Sequence, residues 1–443
     1  MRVLIGFHEI AGYYEALQDG FEKLGVDCHW VSLIPYAFGS HRRRRRHWIL
    51  AAWEGCHHRA TDPRYPRFRR WPWRITAFFL GLAALVWTMV RCRAVIFGFG
   101  RTFFSGWELP MLRLAGVRLV FVYHGSDARP PYLDGPFLHG MQGAIDGVLL
   151  ARVASQRCRR IRWQERWAHA VICQPETSQF FTRPSIPYLA IGVPCLDLPQ
   201  PNSAMVPGPP AASDPGHRPV LAIHCPSNPA VKGTPKILES LAALAADGQA
   251  IRLEIITNRP NSEVRAAIAR ADLVIDQIYS DTPMAGLATE AAWLGKACIV
   301  CGYADWRPAH LSAQQIPPTL RGRPDELPTL IGRVLEEPGL VVRIGNEARD
   351  FVRSQWSTRA VAERFARIIS DPNPGNDGFP RVSSNYLLGC GAHRTVIAQA
   401  IASILASVGR GGLQLTHRPD LEDLAQHLAG EQDGIQAPSL CSG

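Results

Sequence analysis

Residues 219–244, PVLAIHCPSNPAVKGTPKILESLAAL, decide the fold that the sequence predicts. An apolar strand over 219–224 is followed by a loop and then by a helix from about Thr234 to Asp247. The same alternation continues toward the C-terminus, with further strands predicted at 252–257, 273–277 and 297–301. Continuous apolar runs of this kind are typical of parallel sheets that helices cover on both faces. These residues therefore predict a doubly wound α/β unit.

The N-terminal part of the chain shows the same alternation. Its apolar strands are predicted at 2–6, 26–33, 94–99, 118–123 and 170–173. An amphipathic helix over Tyr14–Leu24 follows the first strand, and Gly25 is its expected C-terminal cap. This half is therefore a second doubly wound unit, and two such units place a cleft at the carboxyl ends of their sheets. The predicted fold class is α/β, with two Rossmann-like domains that face a cleft.

Composition divides the 443 residues further. We predict an N-terminal domain over 1–193 with a basic and aromatic insert at 41–93, a Pro-rich linker at 194–219, a C-terminal domain over 220–370 and a partly disordered extension over 371–443. The eleven cysteines are scattered and the first residues already form a strand, so we expect neither a disulfide framework nor a signal peptide. Cys298 and Cys301 share a strand, where residues three apart point to opposite faces, which disfavours a metal or redox pair.

The loop after the first strand of the C-terminal unit is the strongest candidate for an anion site. Thr234 suits the N-cap of the next helix, and Pro235 suits its first position. Free N–H groups at a helix N-terminus attract anions, Lys232 adds a full charge, and Gly233 lets a ligand approach the backbone. The alternative is a capped surface helix with a solvated, exposed lysine. The spacing of a Walker loop is absent.

Glu290 is a second candidate for ligand binding. It lies in the opening of a predicted helix, Leu287–Leu294, which follows a strand and faces the expected cleft. A carboxylate in this position can accept hydrogen bonds from two sugar or ribose hydroxyls. It could equally compensate the helix dipole. The spacing alone does not decide between these two roles.

Three runs in the C-terminal half resemble the donor domain of retaining GT-B glycosyltransferases, with glycosyltransferase family 4 as the nearest set. They are PSNPAVKGTPKILESLAAL (226–244), RADLVIDQIYSD (270–281) and GLATEAAWLGKACIV (286–300). In the N-terminal half, FGFG (97–100) and FVYHGSDAR (121–129) resemble strands of that family's acceptor domain. The resemblance covers about residues 1–370. It implies a retaining, hexosyltransferase-like enzyme that takes a nucleotide-sugar as co-substrate and uses no cofactor and no protein-held metal.

The resemblance also implies roles for individual residues. Lys232 would bind the donor's diphosphate, and Glu290 would hold the nucleotide ribose. The rest of the donor-binding set would be Ser227, Asn228, Gly233 and Thr234, with Ala11 and Gly12 as the small-residue loop under the phosphates.

The catalytic residues that the resemblance implies are His124 and Asp281. His124 would lie beside the transferred sugar. Family 4 carries two Glu separated by seven residues, and Thr282 stands where the first of them would precede Glu290. Asp281, one position away, is the candidate substitute for that carboxylate.

The insert at 41–93 predicts a membrane surface as a partner. It carries thirteen arginines against Glu54 and Asp62, including the run Arg42, Arg43, Arg44, Arg45 and Arg46, together with aromatic residues such as Trp71 and Trp73. Arg and Trp together favour the headgroup region of an anionic bilayer. The uncharged run Ile75–Val90 would be a helix of about 24 Å, shorter than the hydrocarbon core of about 30 Å. A spanning helix, a solvated loop and a single-stranded nucleic acid site are the alternatives; no nucleic-acid-binding motif supports the last.

The sequence therefore predicts transfer of a sugar from a nucleotide-sugar to a lipid-linked or cell-surface polysaccharide acceptor. We expect a cytoplasmic protein, peripheral on the inner face of the cytoplasmic membrane, with no nucleic acid partner. One alternative is a degenerate, non-catalytic relative that binds a nucleotide or glycan as a scaffold. Another is a nucleotide-sugar epimerase of the same architecture.

Overall fold

The computed structural model describes residues 1–34, 47–141, 143–195, 219–246, 248, 251–304, 311–374 and 382–431. Three predictions fall outside these residues. They concern the arginine run Arg42–Arg46, nearly all of the Pro-rich linker, and the C-terminal residues from 432 onward. They stay predictions.

The N-terminal domain is built on a five-stranded parallel sheet with the order β2-β1-β3-β4-β5. The strands are β1 (Arg2–His8), β2 (Asp27–Ile34), β3 (Ala94–Gly98), β4 (Arg118–Val122) and β5 (Ala170–Ile172). The helices are α1 (Tyr13–Lys23), α2 (Trp48–Thr61), α3 (Arg67–Arg91), α4 (Leu109–Leu114), α5 (Gly135–His139), α6 (Gly147–Trp167) and α7 (Tyr188–Ile191). Both faces are covered, because Val3 and Ile5 of β1 pack into one core and Leu4 packs into the other.

The C-terminal domain contains a second five-stranded parallel sheet, with the order β10-β9-β8-β6-β7. Its strands are β6 (Val220–His224), β7 (Ile251–Ile255), β8 (Leu273–Ile275), β9 (Ala297–Cys301) and β10 (Leu320–Gly322). Its helices are α8 (Pro229–Lys232), α9 (Thr234–Ala246), α10 (Asn261–Arg270), α11 (Gly286–Trp293), α12 (Leu327–Glu336), α13 (Pro338–Gln355) and α14 (Thr358–Ser370). The predicted fold class is confirmed. Cys298 and Cys301 belong to different cores, so the prediction that they point to opposite faces is also confirmed.

The last helix of the C-terminal half crosses back to the N-terminal domain. α14 packs along α1 and places Val361 and Phe365 in the core beneath the first sheet. The approach is close at Gly20 of α1, where a Cβ would collide with the carbonyl of Thr358. Any larger residue at position 20 would therefore push these two helices apart.

Residues 382–431, in the predicted extension, also fold against the N-terminal domain. They form α15 (Arg394–Val408) and α16 (Pro419–Gly430). α15 packs on α6 and on α16. Before α15, the backbone N–H of Gly391 donates to the carbonyl of Tyr279 at 2.7 Å, and that of Gly135 donates to Cys390 at 2.8 Å. The extension therefore touches both domains where they meet.

The helix in the basic insert is longer than the sequence predicts. α3 has 25 residues, because it begins at Arg67 and not at the uncharged run, and Pro72 lies within its first two turns. Its length is therefore about 37 Å instead of about 24 Å. Within the described residues, it is the one helix long and apolar enough to cross a membrane by length and composition.

Candidate functional site

A cavity of about 780 Å³ lies at the carboxyl ends of both sheets, between the two domains. The N-terminal domain contributes the loop after β1, Ile10 to Tyr13, together with His124, which follows β4. The C-terminal domain contributes residues from three places: 258–262 after β7, 281–286 after β8, and Glu290 on α11. The predicted cleft is therefore present at the predicted edge of each sheet.

The loop under the N-terminus of α1 is tightly turned. Ala11 and Gly12 both have left-handed backbones, with φ of 50° and 80°, and Gly12 is the N-cap of α1 without a side-chain hydrogen bond. The carboxylate of Glu9 accepts hydrogen bonds from the backbone N–H groups of Ile10 at 2.8 Å, Glu15 at 3.1 Å and Tyr14 at 3.2 Å. The chain thus supplies its own anion at the start of this helix, next to the cavity.

Burial raises the pKa of Glu9 to about 7, even though three backbone N–H groups favour its charged form. A raised carboxyl pKa means that the folded protein binds this proton more tightly than the unfolded chain does. Glu9 therefore contributes less stability as pH rises through 7, and its contribution is complete only below about 4.5. We expect the free energy of unfolding to fall by about 2 kcal/mol more in the wild type than in Glu9→Gln between pH 5.5 and 8. Urea unfolding at both pH values measures this. An equal change in the free energy of unfolding between the two pH values for both proteins would refute it.

The N-terminus of α11 faces this loop from the other domain. The N-cap of α11 is Ala285, which has no side-chain hydrogen bond. A Cβ placed on Gly286 would lie 3.8 Å from the Cβ of Ala11. The start of α11 is therefore nearly in contact with the loop that begins α1. Both helix N-termini border the same cavity, but the carboxylate of Glu9 already accepts from the first turn of α1. The N-terminus of α11 can therefore attract an anion there.

Glu290 lies on the wall of the cavity, one turn into α11. Both of its carboxylate oxygens accept hydrogen bonds from the amide of Asn261, at 3.0 and 3.1 Å. Burial raises the pKa of Glu290, while Asn261 and the charge of Arg265 act in the opposite direction. Arg265 and Arg259 also line the cavity. This corner thus combines one carboxylate with two cationic side chains, as a ribose with attached phosphates would require.

His124 lies where the first domain meets the cavity, between two tyrosines. The hydroxyl of Tyr14 is 2.7 Å from its Nε2 atom, and that of Tyr188 is 3.2 Å from its Nδ1 atom. Burial, and then the charge of His8, lower the pKa of His124 to about 3. The imidazole is therefore neutral at pH 7. It cannot serve as a charged acid there, and both of its ring nitrogens are engaged by the two tyrosine hydroxyls. Its predicted role beside the transferred sugar stays a prediction.

Asp281 lines the same cavity but is paired across the domains. Its carboxylate forms a buried ion pair with Arg129, which is 4% exposed and also approaches Asp134 at 3.5 Å. Burial alone would lower the pKa of Arg129, but the charges of Asp281 and Asp134 and the hydrogen bond to Asp281 together raise it. The predicted role of Asp281 in catalysis stays a prediction. Its charge is used here to join the two domains.

The predicted anion loop is not part of the cavity lining. Ser227 and Asn228 are exposed, and Asn228 caps α8 by accepting from the N–H of Val231 at 3.3 Å. Gly233 has a φ of 76° and separates α8 from α9. Thr234 does not act as a free cap, because its hydroxyl bonds to the buried His224 at 2.9 Å. Their assignment to donor binding stays a prediction.

Lys232 is neither solvated nor exposed, contrary to the expectation of an exposed lysine. Its side chain is 18% exposed, and Nζ donates to Asp276 and to Gln277, each at 3.0 Å. Burial alone would lower the pKa of Lys232, but the fully buried carboxylate of Asp276 raises it. The C-terminal extension lies close by, since a Cβ on Gly391 would come within 2.7 Å of Val231. The lysine is therefore largely enclosed, and it does not line the cavity.

Sequence reasoning missed the segment after β7. Asn258, Arg259, Asn261 and Arg265 all line the cavity. A signal was available: they follow a strand of a parallel sheet at its carboxyl edge, where ligands bind in such folds. The two arginines and the amide of Asn261 supply the hydrogen-bond donors that the predicted loop does not bring to the cavity.

No protein-family model matches the sequence, and a sequence search of curated proteins finds no match. Solved structures do resemble the fold. Sucrose-phosphate synthase from Thermosynechococcus elongatus superimposes with a TM-score of 0.51 at 13% identity, over 83% of this chain and 98% of that one. An alpha-glucosyltransferase in complex with UDP-glucose and DNA gives 0.48 at 10%, over 84% and 100%. Anabaena HepE in complex with UDP-glucose gives 0.44 at 13%, over 84% and 99%.

At this identity the likeness concerns the fold. The two parallel five-stranded sheets agree with the superposition on sucrose-phosphate synthase over most of both chains. Membership of family 4 stays a prediction. The chain has the GT-B fold.

Proposed function

We propose that this protein is a glycosyltransferase that binds a nucleotide-sugar in the cavity between its domains. The acceptor in this proposal is a lipid-linked or cell-surface polysaccharide at the inner face of the cytoplasmic membrane. The observation that carries the proposal is that the N-terminus of α11, Arg259 and Arg265 all line one cavity with Glu290 on its wall. A nucleotide-sugar needs an anion site for its diphosphate and a hydrogen-bond acceptor for the two adjacent hydroxyls of its ribose.

The chemistry follows from where charge develops. When the bond between the sugar and the diphosphate breaks, negative charge increases on the diphosphate. Backbone N–H groups at the N-terminus of α11 and the side chains of Arg259 and Arg265 would stabilise that charge. The proposal therefore assigns this task to the chain itself, without a protein-held metal. The resemblance to family 4 supports transfer of a hexose with retention of configuration.

Glu290→Gln should weaken donor binding whichever sugar is attached. A glutamine keeps the shape but loses the charge that strengthens hydrogen bonds from two ribose hydroxyls. We expect affinity for the nucleotide-sugar to fall by about 1.5–3 kcal/mol, roughly 10- to 100-fold. Calorimetric titration measures this.

Glu347→Gln is the matched control, since this exposed residue of α13 lies 3.6 Å from Arg343 and neither residue lines the cavity. It should leave donor affinity unchanged. A Glu290→Gln protein that melts early but binds the donor normally would make Glu290 a structural residue.

A non-catalytic scaffold is the second candidate. Asp281 is the candidate substitute for the missing family carboxylate, and it is already paired with Arg129. This ion pair favours the scaffold. Release of the nucleoside diphosphate from the nucleotide-sugar, with membrane extract as the acceptor, distinguishes the two. The proposed enzyme turns over, and Thr282→Glu is tolerated or raises the rate. Tight binding without turnover in both proteins would establish the scaffold.

A further inference from the structure

An uninterrupted apolar surface runs along the outer side of α3. Its side chains are largely exposed: Phe68 by 72%, Phe79 by 62% and Val90 by 73%. The outer stripe, as we call this surface, consists of Phe68, Trp71, Ile75, Phe78, Phe79, Leu82, Val86 and Val90. At 1.5 Å per residue it is about 33 Å long. Exposed apolar surface of this extent in one patch marks an interaction site.

The positions of the arginines fit this stripe. At 100° per residue, the outer stripe covers an arc of about 120° centred near Ile75. Arg67 and Arg74 lie beyond one edge of this arc, and Arg69 and Arg91 lie beyond the other. α3 contains no Asp or Glu. Apolar side chains therefore point outward along the whole helix, with cations on both flanks.

The opposite side of α3 packs against the rest of the N-terminal domain. Ala77, Gly81, Ala84, Leu85 and Thr88 are buried, and α2 is the main neighbour. The fit is close at Gly81, where a Cβ would lie 3.0 Å from Trp53 and 3.2 Å from Phe104. A helix that crossed a bilayer would have to leave these contacts. The packed side therefore allows α3 to lie on a membrane but not to span it.

We propose that the outer stripe docks the protein on the surface of an anionic lipid bilayer, with α3 lying in the plane of the headgroups. The apolar side chains would enter the acyl boundary, and the flanking arginines would pair with lipid phosphates. Charge complementarity selects this partner, because an apolar stripe between two rows of cations fits a layer of apolar chains beneath anionic headgroups.

Neighbouring residues extend the same surface and refine the sequence prediction. Phe104 contacts Phe78 with ring centroids 5.7 Å apart, and three residues later Trp107 is 82% exposed. Trp71 lies in the outer stripe. Trp73 lies under the guanidinium of Arg59 at 4.5 Å, so it faces α2 and not the lipid. This docking does not require sugar transfer.

Co-sedimentation with vesicles tests the proposal. The vesicles contain phosphatidylcholine with either no phosphatidylglycerol or 30% phosphatidylglycerol, at 0.1 M salt. We expect the wild-type chain to pellet with the anionic vesicles and not with the neutral ones. Phe79→Ser with Val86→Ser should lower the partition coefficient by about tenfold or more, because each exposed apolar group loses its burial in lipid. Arg69→Gln with Arg74→Gln should lower it by about fivefold per arginine at low salt.

The matched control is Leu238→Ser with Val342→Ser. These residues are exposed by 48% and 62% on helices of the other domain, and their replacement should leave vesicle binding unchanged. Equal melting temperatures show that each variant is folded. An unchanged donor titration separates this proposal from the proposed function.

Four results would overturn the proposal. The first is a wild-type chain that does not pellet with anionic vesicles. The second is equal binding of the stripe and control variants. Resistance to carbonate extraction would show a spanning helix. A lipid-free dimer that Phe79→Ser with Val86→Ser dissociates would make the stripe a contact between two copies of the chain.

Discussion

Arg129→Met should lower the free energy of unfolding by about 3–5 kcal/mol. The substitution removes the partner of Asp281, which is 6% exposed, and leaves its carboxylate charged in a place that water barely reaches. Asp134 is less affected, because Arg157 still lies 3.2 Å from it. Since Arg129 follows β4 and Asp281 follows β8, the loss should also loosen the contact between the two domains. Urea unfolding measures the change.

Arg270→Met is the control. It removes an ion pair that is more exposed to solvent and lies within one domain. Arg270 and Glu254 have side chains that are 34% and 33% exposed, so this loss should cost about 0–1 kcal/mol. Adding Asp281→Asn to Arg129→Met should recover part of the stability, because the unpaired charge is then gone. Equal, small losses for Arg129→Met and Arg270→Met would refute a buried pair between the domains.

Lys232→Met should also cost about 3–5 kcal/mol of stability, whatever it does to donor binding. From the sequence, an exposed lysine could be removed with little effect on stability. In the structure its ammonium neutralises Asp276, which is completely buried. Removing the lysine would leave this carboxylate without its cation. Thermal and urea unfolding of the variant measure the loss.

Lys236→Met, four residues later on α9, is the matched control. Lys236 pairs with Glu239, which is 69% exposed, so its removal should cost at most about 1 kcal/mol. Asp276→Leu combined with Lys232→Met should regain part of the loss, as a buried pair replaced by apolar side chains often does. If Lys232→Met is as stable as the wild type, the ion pair of Lys232 with Asp276 does not contribute to stability. If it also binds the donor less tightly, the predicted diphosphate role gains support.

The strands could be predicted because their signal is local. β9 lies at the predicted residues, and β1 is five apolar or small buried residues between two less buried ends. β10 was missed because Leu320–Gly322 is three residues long with one large apolar side chain. The true length of α3 was missed for a related reason. Arginines ended the uncharged run, yet arginine is a good helix former, and Pro72 is tolerated near a helix start.

The site was predicted less well, because its geometry depends on contacts distant in the sequence. The sequence shows Lys232 beside a helix but does not show that Asp276, 44 residues later, meets its ammonium. Similarly, no residue near Asp281 in the sequence indicates that it pairs with Arg129, 152 residues earlier. Glu290, Ala11 and Gly12 line the cavity, as expected of residues near the carboxyl edge of a parallel sheet. Their roles in donor binding stay predictions. Contacts of the extension, such as Gly391 with Tyr279, have no sequence signal of this kind.

The most direct test of the central claim is calorimetric titration of the wild-type protein and Gly286→Val with UDP-, GDP- and ADP-sugars. A Cβ at Gly286 meets Ala11 at an ordinary 3.8 Å, so valine should fold while its methyl groups fill the gap between the two helix N-termini. Gly332→Val, whose Cβ meets nothing within 4 Å, is the control. We predict saturable one-site binding of at least one donor class, unchanged in Gly332→Val and weakened by about tenfold or more in folded Gly286→Val. No binding of any donor, or equal affinity in all three proteins, would contradict a nucleotide-sugar site in this cavity.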